Sequence, residues 1–217
     1  MAALKVGVLI SGRGSNLRAL IDGCAGGAIP AEIVLAISNN PDAAGLDHAR
    51  RAGIPTRTVD HRRYGDRARF DAAMSEALRA AGVELLCLAG FMRLLSPGFV
   101  ATWKNRMINI HPSLLPAFPG LDTHARALSA GVRFAGCTVH FVRNETDTGP
   151  IIVQAAVPVL PGDTPESLAA RVLEAEHRAY PLALRLVAEG RVRIEGEHAI
   201  VDAPAAAAAA HLNPTDE

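Results

Sequence analysis

Apolar positions recur along this chain in two alternating rhythms. Residues 6–10 are an apolar run closed by the glycines that follow, as in a strand covered on both faces. A turn at residues 11–16 follows, and Leu17, Leu20 and Ile21 then repeat at helical spacing. Strand-like runs come next at 33–37, 56–59, 84–89 and 107–110. Helical patterns fall between them at 43–52 and at 67–81, the latter with Phe70, Ala73, Met74, Ala77 and Leu78 on one face. This β-α-β-α order predicts an α/β fold with a doubly wound, mostly parallel sheet and right-handed crossovers.

The rhythm then changes. Residues 137–142 and 151–157 read as two strands joined by a loop, with Val139, Phe141, Ile152 and Val157 apolar, which predicts an antiparallel extension. Thr164, Pro165 and Glu166 carry the start signal of a long helix, with Thr as N-cap and Pro at N1. That helix presents Leu168, Val172, Leu173, Ala179, Leu182, Leu186 and Val187 and stops at Gly190. Residues 191–194 and 199–201 fit a closing hairpin. One domain over 1–202 is expected, followed by an alanine-rich tail, 203–217, read as frayed and without function.

Composition narrows the classes of partner. The 217 residues suffice for one sizeable core. Lys and Arg total 22, Asp and Glu total 22, so there is no general positive field for nucleic acid and no polybasic patch for a membrane. No run of about 18 apolar residues occurs, so no membrane span is expected. Cys24, Cys87 and Cys137 are scattered and odd in number, which reads as reduced thiols in a cytoplasmic protein.

Three segments carry candidate chemistry. In Asn109-Ile110-His111-Pro112, strand alternation sends Asn109 and His111 to one face and Ile108 and Ile110 to the other, and Pro112 ends the ladder. An amide and an imidazole then share the C-terminal edge of a strand, where open α/β sheets bind ligands. An imidazole moves protons near neutral pH, and an amide donates to developing oxyanion charge, so the pair suggests acyl-type chemistry. The second segment, Gly12-Arg13-Gly14-Ser15-Asn16-Leu17, turns from the first strand into the first helix. Its glycines and the helix N–H groups suit a phosphate, and Ser15 or Asn16 serving as an ordinary N-cap is the plainer alternative. Leu17 takes the place of the third glycine of a dinucleotide loop, and no G-K-[ST] is present. The third is Asn144-Glu145-Thr146-Asp147-Thr148-Gly149-Pro150, a polar turn whose Asp147 would orient His111 if the two met.

Together these motifs resemble a known family. S-G-x-G-S-N at 11–16, L-A-G-F-M-R at 88–93, N-I-H-P-S-L-L-P at 109–116 and D-x-G-P at 147–150 are similar to the phosphoribosylglycinamide formyltransferases. The likeness covers about residues 4 to 200. It implies a Rossmann-like formyltransferase fold and transfer of formyl from 10-formyltetrahydrofolate, a co-substrate, to the amine of glycinamide ribonucleotide. Position by position it implies that Asn109, His111 and Asp147 are catalytic. Gly14, Ser15, Asn16, Leu17 and Arg18 would hold the phosphate. Arg67, Met92, Arg93, Leu94, Leu95 and Asn109 would line the folate site, and Glu176 would lie near the amine end. Asn144 and Thr146 depart from the family, which often has a carboxylate and an aliphatic residue there.

The implied reaction is direct attack of the amine on the formyl carbon. Asn109 and protonated His111 would stabilise the oxyanion, and His111 with Asp147 would shuttle the proton, aided by water. No metal is expected, because the eight histidines include no H-x-x-x-H or H-E-x-x-H. The partners implied are small molecules, with no nucleic acid or membrane, and the protein would be a monomer or homodimer. Rival readings are a formyltetrahydrofolate hydrolase, which usually carries an extra N-terminal domain, and a non-catalytic nucleotide- or folate-binding protein. A tRNA formyltransferase would need a C-terminal RNA-binding domain and a basic surface.

Overall fold

The structure is a computed structural model and describes residues 2–204 and 212–213. Seven strands form one sheet: β1 (Leu4–Ile10), β2 (Ala31–Ser38), β3 (Thr56–Thr58), β4 (Leu85–Leu88), β5 (Met107–His111), β6 (Phe134–Phe141) and β7 (Ile151–Pro158). Their order is β3-β2-β1-β4-β5-β6-β7. The pairs from β3 through β5 are parallel, while β5–β6 and β6–β7 are antiparallel. The doubly wound sheet with an antiparallel extension is therefore present as expected, and β8 (Val192–Glu195) and β9 (His198–Val201) make the closing hairpin.

Helices cover both faces. On one face, α1 (Ser15–Ala25), α2 (Leu46–Arg51), α5 (Thr123–Ser129) and α6 (Pro165–Ala188) share a core with Val6, Val8, Cys87, Ile108, Ile110 and Val139. On the other, α3 (Arg67–Ala80) and α4 (Pro97–Thr102) pack Phe70, Met74, Phe99 and Trp103 against Leu9, Ile37, Leu86, Leu88 and Met107. Neighbouring strand residues thus serve opposite cores, the period-2 consequence of burial on both faces. Tyr180 of α6, fully buried, donates toward the carbonyls of Leu88 at 3.0 Å and Ile108 at 3.2 Å, which ties α6 to β4 and β5.

The elements depart from the sequence expectations in three places. The helix expected at 43–52 begins only at Leu46, because Gly45 docks its N–H on Gly12 O at 2.9 Å and its backbone lies against Gly14. Two helices, α4 and α5, were not foreseen. Ser96 caps α4 by accepting from Phe99 N–H, with Pro97 at N1, a signal that was legible. Asp122 starts α5 from a left-handed conformation and gives no side-chain cap, so its sequence signal is weak. The long helix starts as foreseen, but Ser167 completes the capping box with Thr164. Most of the expected tail lies outside the described residues; Asn213, which is described, donates to Arg133 O at 2.5 Å and Val159 O at 2.8 Å. Among the described residues, no helix is long and apolar enough to cross a membrane.

Candidate active site

The antiparallel register of β5 and β6 builds the centre of the site. It pairs Asn109 with His140 and His111 with Thr138, so four polar side chains stand on one face while Ile108, Ile110, Val139 and Phe141 enter the core behind. His111 is only 6% exposed. Its Nδ1 lies 3.3 Å from Asp147 Oδ1, and its Nε2 lies 3.0 Å from Phe118 O. Both ring nitrogens face acceptors, and both are satisfied only when the ring carries two protons. The Nδ1 contact is longer than an ordinary hydrogen bond, whereas the Nε2 contact falls within its range.

Asp147 reaches His111 because of its loop. Its own backbone is left-handed (φ 53°), and Gly149 (φ 126°) is irreplaceable there, since a Cβ would fall 2.0 Å from Phe141 O. The second carboxylate oxygen, Oδ2, accepts from Gly120 N–H at 2.7 Å. One carboxylate therefore fixes both the imidazole and the segment that supplies the Phe118 carbonyl. Asn144 and Thr146, the two family departures, are exposed, and the imidazole contact is made by Asp147.

Residues that sequence reasoning missed complete this edge. Asn109 Nδ2 lies 3.3 Å from His140 Nε2, and His140 Nδ1 lies 3.0 Å from Phe141 O. Burial pushes the His140 pKa down, which favours the neutral ring. In the neutral ring Nδ1–H donates to the carbonyl and Nε2 accepts from the amide, so only one of the two Asn109 N–H groups is engaged by His140. Thr138 is fully buried; it donates to Ser113 O at 2.7 Å and accepts from Leu115 N and Gln154 Nε2, each at 3.0 Å. That hydroxyl pins the loop between His111 and Phe118. The only sequence signal for His140 and Thr138 was their alternation with Val139 and Phe141.

The glycine turn leads into α1 with Gly14 as N-cap in a left-handed conformation (φ 71°), so neither Ser15 nor Asn16 caps the helix. A Cβ on Gly14 would meet Gly45 Cα at 2.6 Å. Arg18 N–H closes the first helical bond on Gly14 O at 2.9 Å, which leaves the N–H groups of Ser15, Asn16 and Leu17 as first-turn donors. The Leu17 side chain is fully buried, and Arg18 pairs with Asp22 at 3.6 Å on the surface. Asn16 Nδ2 donates to Glu176 Oε2 at 2.7 Å. Glu176 is 7% exposed, and burial raises its carboxyl above the ordinary range. Its partner is this turn, not an arginine of its own helix.

After β4 the chain runs outward. Met92 and Leu94 are 69% and 61% exposed, Arg93 is exposed and Leu95 half-buried. Met92 is thus an exposed apolar side chain rather than core. Arg67 is exposed at the first turn of α3, whose N-cap Asp66 accepts from Arg69 N–H. The geometry brings His111 to Asp147 and Asn16 to Glu176, but joins neither pair to the other by a direct contact. Among the described residues, no group of three or more His, Cys, Asp or Glu is placed to hold a metal ion.

A doubly wound sheet that brings an amide, an imidazole and a carboxylate together at the end of its strands has the donor set of a site for acyl-type chemistry. The family model described as formyl transferase matches residues 4–184, and the chain belongs to that family. It is 56% identical over 191 residues to the trifunctional purine biosynthetic protein adenosine-3 of Gallus gallus, covering 88% of this chain and 19% of that one. The chain thus spans about a seventh to a fifth of the length of the animal relatives it matches. It is 42% identical over 209 residues to the phosphoribosylglycinamide formyltransferase of Haemophilus influenzae, covering 96% of this chain and 99% of that one. A crystal structure of glycinamide ribonucleotide transformylase 1 from Symbiobacterium toebii superposes with a TM-score of 0.90 at 54% identity, covering 92% of this chain and 94% of the other.

Proposed function

We propose that this chain transfers the formyl group of 10-formyltetrahydrofolate to the amine of 5'-phosphoribosylglycinamide, a step of purine biosynthesis. The observation that carries the reading is the buried His111–Asp147 contact beside Asn109, at the end of the sheet where the helix N-terminus after β1 and the exposed apolar side chains after β4 also lie. The likeness to relatives named for this activity over nearly their whole length supports it.

In this reading the phosphate sits on Gly14 and the first-turn N–H groups of Ser15, Asn16 and Leu17, where the helix dipole adds to the hydrogen bonds. Arg18 lies beside it, and Glu176, fixed by Asn16, faces the amine end. The folate ring lies along Met92, Arg93, Leu94 and Leu95, and Arg67 belongs to the same folate site. The amine nitrogen bonds to the formyl carbon as the carbonyl becomes an oxyanion. The Asn109 N–H that is not given to His140 receives that charge, and the positive ring of His111 stabilises it from beside Asn109. Asp147 stabilises the imidazolium that does so. As the bond from carbon to the folate nitrogen breaks, the proton lost by the amine passes by way of His111, Asp147 and water to that nitrogen. Holding both substrates at reacting distance supplies much of the acceleration. Residues 1–202 act as one formyltransferase domain, in the cytoplasm, as a monomer or homodimer.

The test is a transfer assay in which release of deformylated folate is followed with and without the ribonucleotide. Release that depends on the ribonucleotide is expected. Equal release without it would identify a hydrolase, and binding without release would leave only a binding protein.

A further inference from the structure

The strand order places the chain's change of direction between β1 and β4, so the loops leaving these two strands diverge around a crevice. One is the turn at 11–16; the other holds Met92. On the transferase reading the first carries the phosphate and the second lies along the folate. The spacing of these loops therefore sets the distance from amine to formyl carbon.

Ser11 joins them twice. Its backbone N–H donates to Gly90 O at 3.2 Å, and its Oγ accepts from Met92 N–H at 2.7 Å. The hydroxyl proton goes to Asn39 Oδ1, 2.5 Å away. Asn39 is 4% exposed, and its Nδ2 lies 3.2 Å from His61 Nδ1. The His61 ring packs edge-on to Phe70 of α3, with centroids 6.3 Å apart, and α3 opens at Arg67. A continuous set of contacts thus runs from the Met92 loop through Ser11 and Asn39 to the helix that carries Arg67. Every other tie described above serves one substrate's segment; Ser11 alone in this set belongs to the phosphate turn and holds the folate loop.

We propose that Ser11 is a positioning residue that keeps the phosphate turn and the Met92 loop in register, so that the two substrates meet at reacting distance. The proposal rests on the transferase reading. Alanine keeps the backbone bond to Gly90 but leaves the Met92 N–H and the Asn39 oxygen without their partner. The loops then shift relative to each other while each keeps its own ligand contacts. Small misplacement of bound reactants costs turnover more than affinity.

The experiment measures turnover at saturation with both substrates, and the affinity for each substrate alone, in the wild type, Ser11→Ala and Ser11→Thr. Ser11→Ala is expected to lose roughly tenfold to a hundredfold in kcat, with each single-substrate Kd within about threefold of wild type. Ser11→Thr, which keeps the hydroxyl, is expected to recover most of the rate. A kcat within about twofold of wild type overturns the proposal, as does a rise in Kd with kcat unchanged. If Ser11→Ala fails to fold, Asn39→Ala breaks the same set of contacts one step away and decides by the same criteria. An active wild type with an unaffected Ser11→Ala overturns this proposal alone; a wild type without ribonucleotide-dependent transfer overturns the transferase reading and this proposal with it.

Discussion

The edge of β5 and β6 and the loops after β1 and β4 lie at the same end of the sheet, yet they are built by opposite means. At the β5–β6 edge, buried side chains hold one another: His111 against Asp147 and Phe118 O, Asn109 against His140, Thr138 against three groups. At the loops, the working groups are backbone N–H donors on glycine turns and exposed side chains such as Met92, Leu94 and Arg67. The first arrangement fixes charge and direction before any ligand arrives, which is what stabilising a developing oxyanion requires. The second leaves room for a phosphate and a flat ring to enter, and its donors stay free until they do.

This contrast predicts how damage divides between the regions. The largest effect is expected at the edge: His111→Ala and Asp147→Asn should each lower kcat by on the order of 100-fold or more, with substrate affinities little changed. Near wild-type turnover in either, with both substrates bound, would remove the pair from the mechanism. At the loops the loss should fall on binding. Gly14→Ala forces a Cβ to within 2.6 Å of Gly45 Cα at a left-handed position. It should weaken ribonucleotide binding by about tenfold or more while leaving folate binding within about threefold. Titration of each ligand separately distinguishes this from general unfolding.

A smaller effect is expected where the edge is held from behind. Thr138→Val removes the hydroxyl that serves Ser113, Leu115 and Gln154, and should cost about 1–3 kcal/mol in urea unfolding. A kcat loss below about tenfold should accompany it, passed on through the Phe118 carbonyl. The mildest prediction concerns pH. Burial raises the Glu176 carboxyl above its ordinary 4.5, against the opposing bond from Asn16. Its folded pKa thus exceeds its unfolded one, so the folded state is favoured most below about 4.5 and loses that advantage as pH rises through the raised value. Glu176→Gln cannot ionise and should gain stability relative to wild type as pH increases from about 4 to about 8. A difference independent of pH would show that the burial of Glu176 exerts no such penalty.

The same contrast explains what could be seen in the chain beforehand. Element order was legible because periodicity is local: the apolar runs at 6–10 and 84–89 and the face of Phe70, Met74 and Leu78 need no knowledge of the fold. The late start of α2 was not, because the constraint is the contact of Gly45 with Gly12 and Gly14, far away in the chain. In the sequence His140 and Thr138 read only as members of an apolar strand. Their meaning lies in a register that pairs them with Asn109 and His111. Glu176 was noticed only through resemblance, and its buried bond to Asn16, 160 positions away, appears only in three dimensions.

The sequence by itself therefore determined the strands and most helices, the turn that leaves N–H donors free, and the residue types at the sheet edge. Each follows from the side-chain period, backbone freedom or donor inventory of a few neighbouring residues. Only the tertiary structure decided that Asp147 reaches His111, that His140 engages Asn109, and that Ser11 joins the loops of β1 and β4. Those contacts depend on strand order, antiparallel register and left-handed backbone at Asp147, which arise when distant segments bury their apolar faces against one sheet.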